Sequence, residues 1–409
     1  MRQSKLFTRT QKDTPKDETS YNAQALMRAG FIDKLAAGVY TFLPLGLRVH
    51  NKICKIIREE MDAIGGQELL MPALTPKEVW ETTDRWDNFD ALFKLTGGDE
   101  KEYALGATHE EIVTPTVAKQ VLSYKDLSIS VYQIQTKFRN EKRAKAGLIR
   151  GREFSMKDMY SFHPSDEALN EYYKIAQKAY FKVFERLGLI DITYLTYASG
   201  GAFSKYSHEF QTVSESGEDT IHICEKCQIA INQEIIAESP ACPHCGNTEL
   251  VAKKAIEVGN IFKLGTRFSA PFKFNFKDAA GVDQPVIMGC YGMGPSRLMG
   301  TIVEVSHDDR GIIWPEAIAP FKVYLISLGQ DKEADKLYED LKAAGVEVLY
   351  NDNEVGPGEK MADADLFGCP YRVLISPKSI VAGGAEIKRR GSSEAVIVDL
   401  KKVIDYLKK

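Results

Sequence analysis

F-R-N-E-K-R-A-K-A-G-L-I-R-G-R-E-F-S-M-K-D-M-Y-S-F, residues 138–162, is the stretch on which the reading of the chain turns. Eight Lys or Arg residues fall between Lys137 and Lys157, against Glu141, Glu153 and Asp158. Residues 131–138 are rich in β-branched and aromatic side chains, and residues 152–160 alternate charged or polar with apolar ones, so both flanks read as strands. The middle, residues 142–151, is basic and glycine-bearing and reads as a mobile hairpin loop. Arg139 and Glu141 lie two apart on a strand and share a face, and Arg150, Arg152 and Glu153 return opposite them. Fixed guanidinium and carboxylate groups, with loose positive charge between, suit a polyphosphate held beside a second anion. The plainer reading is a solvated basic hairpin with ordinary ion pairs.

Working outward, residues 1–45 read as a helix and a short apolar strand or loop. Residues 47–64 form an amphipathic helix, with Val49, Ile53, Ile56, Ile57, Met61 and Ile64 at helical spacing. Gly65 and Gly66 stop it, and residues 68–72 read as a strand ending at Pro72. Residues 80–98 are aromatic and acidic, a helix and a turn. In L-G-A-T-H-E-E-I-V-T-P, residues 105–115, Thr108 and Glu110 converge if the chain is extended, and together accept hydrogen bonds from an ammonium. Thr108 with Glu111 is equally a capping box. Residues 166–187 form a long helix with acids in its first turn and Gly188 past its end. A strand and the run A-S-G-G-A-F-S-K-Y-S-H-E-F-Q, residues 198–211, follow.

Residues 286–304, V-I-M-G-C-Y-G-M-G-P-S-R-L-M-G-T-I-V-E, read as a strand, a glycine-rich turn and a helix. Arg297 falls in the first turn of that helix, within reach of a phosphate at its N-terminus. Residues 314–320 are a proline-bearing linker. Beyond it, strands and helices alternate through residues 321–409, giving a small α/β domain around a mixed sheet.

Cys224-x-x-Cys227 and Cys242-x-x-Cys245 are separated by fourteen residues. Two such knuckles are the pattern of a zinc ribbon with four thiolates, a closed and therefore structural site. Four free surface thiols are the alternative.

At 409 residues, 44% apolar and 27% charged, the chain has the composition of a globular protein of two or three domains. Its net charge of −4 confines any nucleic-acid contact to local patches. No run of 18 apolar residues predicts a membrane span. The first residues lack the apolar core of a secretion signal, and Asp13, Asp17 and Glu18 speak against a transit peptide. Seven cysteines without a leader point to reduced thiols and a cytoplasmic protein.

F-R-N-E, a basic loop and R-E-F-S-M-K-D-M-Y together resemble motif 2 of the class II aminoacyl-tRNA synthetases, most closely the prolyl type of bacteria. The helix, strand and Pro72 resemble motif 1, which implies a homodimer. G-M-G-P-S-R resembles motif 3, Thr108-x-Glu110 the T-x-E element, and Ser207-His208-Glu209-Phe210 the S-H-E-F element. The resemblance implies an α/β protein: a class II antiparallel sheet flanked by helices, plus a C-terminal anticodon-binding domain with a mixed sheet. It implies activation of L-proline with ATP and Mg²⁺, then transfer to tRNA(Pro). It places Arg139, Glu141, Arg150, Arg152, Gln211 and Arg297 on ATP, with Arg139 and Arg297 catalytic. Thr108, Glu110, Arg139, His208 and Cys290 fall on proline, although Cys290 is also readable as a small buried residue. Lys142, Arg143 and Lys145 fall on the tRNA acceptor end.

The core thus comprises residues 1–216 and 258–313. Between them, residues 217–257 stand where bacterial relatives commonly carry a large editing domain, so editing in cis is expected to be missing. A threonyl-, glycyl- or seryl-type enzyme, an inactive synthetase-like regulator and a free-standing editing protein are the competing readings. Intact Arg139, Glu141 and Arg297 oppose the second, and motifs 2 and 3 oppose the third.

Overall fold

The structure is a computed structural model that describes residues 1–14, 18–201 and 203–408. Asp17, weighed above against a transit peptide, and Ala202 lie outside them. Two compact units emerge: Met1–Leu35, Tyr40–Lys52 and Ile302–Lys409 form one, Ala36–Val39 and Ile53–Thr301 the other.

The larger unit is built on a nine-stranded sheet. In chain order it draws on the second half of helix α1 (Pro44–Asp62), strand β1 (Gly66–Glu68), helix α2 (Glu110–Ala118), strands β2 (Ile129–Phe138) and β3 (Glu153–His163), and helix α3 (Asp166–Arg186). Strands β4 (Thr193–Ser199), β5 (Tyr206–Val213), β6 (Asp219–Cys224), β7 (Ile229–Asn232), β8 (Val251–Gly265) and β9 (Ile287–Met293) follow, then helix α4 (Pro295–Val305). The spatial order is β5-β4-β7-β6-β8-β9-β3-β2-β1. Pairing is antiparallel except at β1–β2 and β4–β7. The expected antiparallel sheet with flanking helices is therefore present.

The motif 2 hairpin is β2 and β3, in continuous register from Ile129↔Phe162 to Phe138↔Glu153. Its loop is less free than its composition suggested. Residues Gly147–Ile149 form a 3-10 turn with Leu148 and Ile149 buried, because these two apolar residues fold back under the hairpin. The first half, with Lys142, Arg143 and Lys145, stays exposed, as does Arg150 after the turn.

The strand expected at residues 68–72 ends at Glu68. Leu69 N–H still donates to Tyr132 O at 2.8 Å, but Met71 N–H donates to the Gln133 side chain at 3.0 Å and Met71 O accepts from Gln135 Nε2 at 2.5 Å. Side-chain amides have replaced the ladder there.

Helix α3 begins at Ser165, whose hydroxyl accepts from Ala168 N–H at 3.3 Å. It packs Tyr173, Ala176, Tyr180, Val183 and Phe184 on one face of the sheet. Tyr180 stacks on Phe210 at 4.9 Å. Gly259 lies beneath it, where a Cβ would come within 2.9 Å of the Tyr180 ring.

Residues 217–257 are woven into the sheet rather than set apart from it. They supply β6, β7 and the first half of β8. Because β5 also pairs with β8, strands β5-β4-β7-β6-β8 close into a ring. The glycines of residues 286–294 likewise lie mostly in strand β9, not in a turn. At Gly292 a Cβ would meet only Asn260 O at 3.8 Å, so its lack of a side chain opens space above the sheet.

The second unit holds strands β10 (Val323–Ser327), β11 (Val348–Asn351), β12 (Tyr371–Ile375), β13 (Ala385–Arg389) and β14 (Ala395–Val398), in the order β11-β10-β12-β13-β14. The first three are parallel and the rest antiparallel, the mixed sheet that was expected. The chain's first residues extend its edge: Tyr350 N–H donates to Met1 O at 2.9 Å, and Arg2 lies 5.1 Å from the rings of both Tyr338 and Tyr350. No sequence pattern announces that contact.

Candidate active site

A cleft of about 470 Å³ opens over β3, β5, β8 and β9, roofed on one side by the motif 2 loop. Arg139, one residue past the end of β2, points into it. Its main chain is fixed by Arg139 N–H donating to Arg152 O at 2.8 Å. Its Nε is buried without a hydrogen-bond partner, and among the described residues it makes no ion pair. Burial, and then the nearby Arg297 charge, push its pKa down from the ordinary guanidinium value. A half-buried cation without a counter-ion among the described residues, facing a second cation, is a place for an anion. Arg297, in the first turn of α4, donates from Nη1 to Glu257 O at 2.9 Å and to the Glu257 carboxylate at 3.0 Å, and from Nε to Ile149 O at 2.9 Å.

At the opposite end stands a carboxylate. Glu110 is 0% exposed, accepts from the Thr108 hydroxyl, and accepts from Cys290 Sγ at 3.3 Å. The capping-box alternative is overturned: α2 starts at Glu110 with His109 before it, and the Glu111 carboxylate instead accepts from Thr83 Oγ1 at 2.9 Å and Arg85 at 2.8 Å. Burial raises the Cys290 thiol pKa far above its usual value, so it is a neutral donor.

The other expected residues divide. Glu141 lines the cleft and pairs with Arg150 at 3.0 Å; Arg150 reaches on to Glu218 at 3.0 Å. Arg152 does not line the cleft, because its guanidinium donates to the Glu141 and Ala37 carbonyls at 3.0 and 3.1 Å. Gln211 is also behind the wall. Its amide donates to Glu209 at 2.8 Å and Asp219 at 2.7 Å, carboxylates that do line the cleft. His208 sits on the other face of β5: strand alternation turns Glu209 into the cleft and His208 under α3. There its Nδ1 meets the Tyr173 hydroxyl at 2.9 Å, and burial lowers its pKa to about 4. Lys142 and Arg143 are exposed outside the cleft, and Lys145 pairs with Glu218 at 3.0 Å.

Sequence reasoning missed an acidic wall. Burial and then Glu257 push Glu209 up to about 8, and burial raises Asp219. Asn260 donates to Glu209 at 3.3 Å and to Glu257 at 3.1 Å. A lone acid inside the apolar run I-E-V-G-N-I-F was the available signal for Glu257. Arg85, buried among aromatic rings, was missed too, and the run T-T-D-R-W carries no pattern that marks it.

Cys224, Cys227, Cys242 and Cys245 bring their sulfurs within 4.8 Å of one another. Cys224 and Cys245 stand 3.7 Å apart, the edge of a tetrahedron whose centre is about 2.3 Å from each sulfur, a zinc–thiolate distance. The residue after each knuckle, Gln228 or Gly246, takes the left-handed conformation at φ 54° and 70°, which turns main-chain N–H groups back over the knuckle. Asn247 Nδ2 lies 3.8 Å from Cys224 Sγ. The four residues fit a structural zinc ion.

Two family descriptions match: "tRNA synthetase class II core domain (G, H, P, S and T)" over residues 93–306 and "Anticodon binding domain" over residues 322–409. A proline–tRNA ligase of Dehalococcoides mccartyi is 34% identical, with 99% of this chain and 98% of that protein covered. That alignment runs over 559 positions against a chain of 409 residues, so a long stretch of the relative has no counterpart here. One from Caulobacter vibrioides is 38% identical over 441 positions, covering 100% of this chain and 99% of that protein. The Giardia lamblia prolyl-tRNA synthetase, solved in complex with prolyl-adenylate, shares the fold at a TM-score of 0.79 and 20% identity, over 94% of this chain and 75% of that one. A sheet with this site, matched over its whole length by these relatives, places the chain in the class II aminoacyl-tRNA synthetases, and within them it belongs to the family of the proline–tRNA ligases.

Proposed function

We propose that the cleft binds proline and ATP together, with Arg139 at the junction. The observation that carries this is the separation of charge: an unpartnered guanidinium at one end and a fully buried carboxylate at the other. A zwitterionic amino acid fits between them. Its ring ammonium donates to Glu110 and Thr108, with Cys290 closing the pocket. Its carboxylate and the α-phosphate share the Arg139 fork, which suits two oxyanions better than a lysine would. Glu141 accepts from the adenine amino group, and Arg297 holds the far phosphates.

Little proton transfer is needed, because the proline carboxylate is already a nucleophile. Its oxygen attacks the α-phosphorus in line as pyrophosphate leaves. A hydroxyl of the 3′-terminal adenosine of tRNA(Pro) then attacks the prolyl carbonyl and AMP departs. The work of the protein is positioning and charge stabilisation. Arg139→Ala is expected to slow proline-dependent ATP–pyrophosphate exchange by about 10²–10³ or more. Exchange near the unaltered rate would overturn the assignment.

Glu209, Asp219 and Glu257 are the residues that would hold Mg²⁺. Two of them have raised pKa values from burial, and Glu257 stands beside both in charge, so the wall fits a dication. Mg²⁺ bound there supplies neutralisation of the triphosphate. Glu209→Gln is expected to raise the Mg²⁺ concentration for half-maximal exchange several-fold, and no change would remove Glu209 from the set.

The four cysteines hold a structural Zn²⁺. The exposed Leu70 and Leu74 beside Pro72 and α1 support a homodimer formed through motif 1. The C-terminal unit takes the anticodon stem. None of the seven cysteines is in a disulfide, as suits the reducing cytoplasm, and no helix among the described residues is long and apolar enough to cross a membrane. Residues 217–257 are spent on sheet strands and cysteine knuckles, which supports the absence of editing in cis.

A further inference from the structure

Behind the amino-acid end of the cleft lies a second charged cluster. Arg85 is 4% exposed and faces two carboxylates of the first turn of α2, Glu110 at 3.4 Å and Glu111 at 2.8 Å. The rings of Phe89, Phe203, Phe268 and Trp80 surround its guanidinium at 4.3 to 5.5 Å. Its Nε and Nη2 have no hydrogen-bond partner, so the rings and the two carboxylates are what hold it. The next cation along, Lys137, is committed to Asp158 at 2.8 Å. Two buried carboxylates therefore share one guanidinium. Glu110 reaches the cleft and Glu111 does not. Burial pushes Glu111 up to about 7.

We propose that Arg85 is a positioning residue for proline: by dividing its charge between Glu110 and Glu111 it keeps Glu110 aimed into the cleft and incompletely neutralised, ready for the ring ammonium. This rests on the reading of Thr108 and Glu110 as the nitrogen site. The physical reason is that adjacent buried carboxylates without a counter-ion must share a proton. A proton on Glu110 would cancel the attraction on which ammonium recognition depends.

The test is pyrophosphate exchange with the full-length enzyme, reading KM for proline and KM for ATP separately in R85Q, E111Q, R85Q/E111Q and E110Q. R85Q is expected to raise the proline KM by about tenfold or more, the equivalent of roughly 1.4 kcal/mol, while the ATP KM stays within about threefold. E111Q alone lets Arg85 close on Glu110, and it is expected to raise the proline KM several-fold. In R85Q/E111Q a single carboxylate remains with no rival for its charge, so the proline KM returns towards the unaltered value. A merely structural role for Arg85 gives no such rescue. An unchanged proline KM in R85Q, or a double variant no better than R85Q, overturns the proposal. Should R85Q fail to fold, an unchanged proline KM in E111Q does the same. E110Q separates the two ideas. If it leaves the proline KM unchanged, the nitrogen-site reading itself fails. If it raises the proline KM and R85Q does not, only the role of Arg85 fails.

Discussion

At the scale of the residue, the site is governed by which side chains lack partners and which have them. Arg139 has no hydrogen-bond partner at Nε and makes no ion pair among the described residues, and it faces the cleft. His208 has one and faces away, its ring against Tyr173 and Tyr197. The S-H-E-F resemblance put His208 on proline, whereas the alternation of β5 puts Glu209 towards the cleft instead. His208→Ala is therefore expected to leave the proline KM within about threefold. It should lower stability by about 1–3 kcal/mol, since a buried ring is removed and the Tyr173 hydroxyl keeps only the Ile261 carbonyl at 3.0 Å. Exchange kinetics and denaturant unfolding on one preparation check both halves. A large rise in proline KM at unchanged stability would restore the histidine to the pocket.

At the scale of the element, the two halves of the motif 2 hairpin are fixed differently. The strands hold Arg139 and Glu141 through an unbroken ladder. The loop splits at Ala146, where the chain turns left-handed at φ 61°. After that point Leu148 and Ile149 bury themselves and Arg150 bridges Glu141 and Glu218, whereas before it Lys142 and Arg143 make no ion pair among the described residues. Loose charge of this kind suits a nucleic-acid backbone. Replacing Lys142 and Arg143 by alanine is expected to weaken tRNA charging and to cut the slope of log K against log salt by about 1–2, while exchange changes less than about twofold. Equal loss in both assays would count against this division of labour. Replacing Lys145 as well would also release Glu218 from an ion pair, so that variant reads out more than tRNA contact.

At the scale of the whole molecule, residues 217–257 cannot be lifted out. They close the strand ring and bring Glu218, Asp219, Glu234 and Glu257 to the cleft. Their two knuckles sit at the turn between β6 and β7 and in the segment before β8, so zinc binding would pin the register of strands that build the site. Metal analysis with sedimentation of the pure protein is expected to give one zinc per chain and two chains per particle. Removing the metal should lower the melting temperature by several degrees, a loss of about 1–3 kcal/mol. Pure enzyme should not deacylate alanyl-tRNA(Pro); rapid deacylation would show an editing site within the chain.

The sequence by itself determined the order of the motifs, the amphipathic helices, the alternating strands, the cysteine spacing and the α/β C-terminal unit. Each is a local or periodic signal, and Arg139, Glu141, Glu110 and Arg297, which line the cleft, lie in short motifs. Only the tertiary structure decided which side of β5 faces the cleft, that Arg152 braces main-chain carbonyls, that Arg85 stands behind Glu110, and that Asp219, Glu209 and Glu257 gather on one wall. Those facts depend on strand register and on burial against partners far apart in the chain. A one-residue shift reverses the face of every side chain on a strand, and a lone buried charge leaves no periodic trace around it.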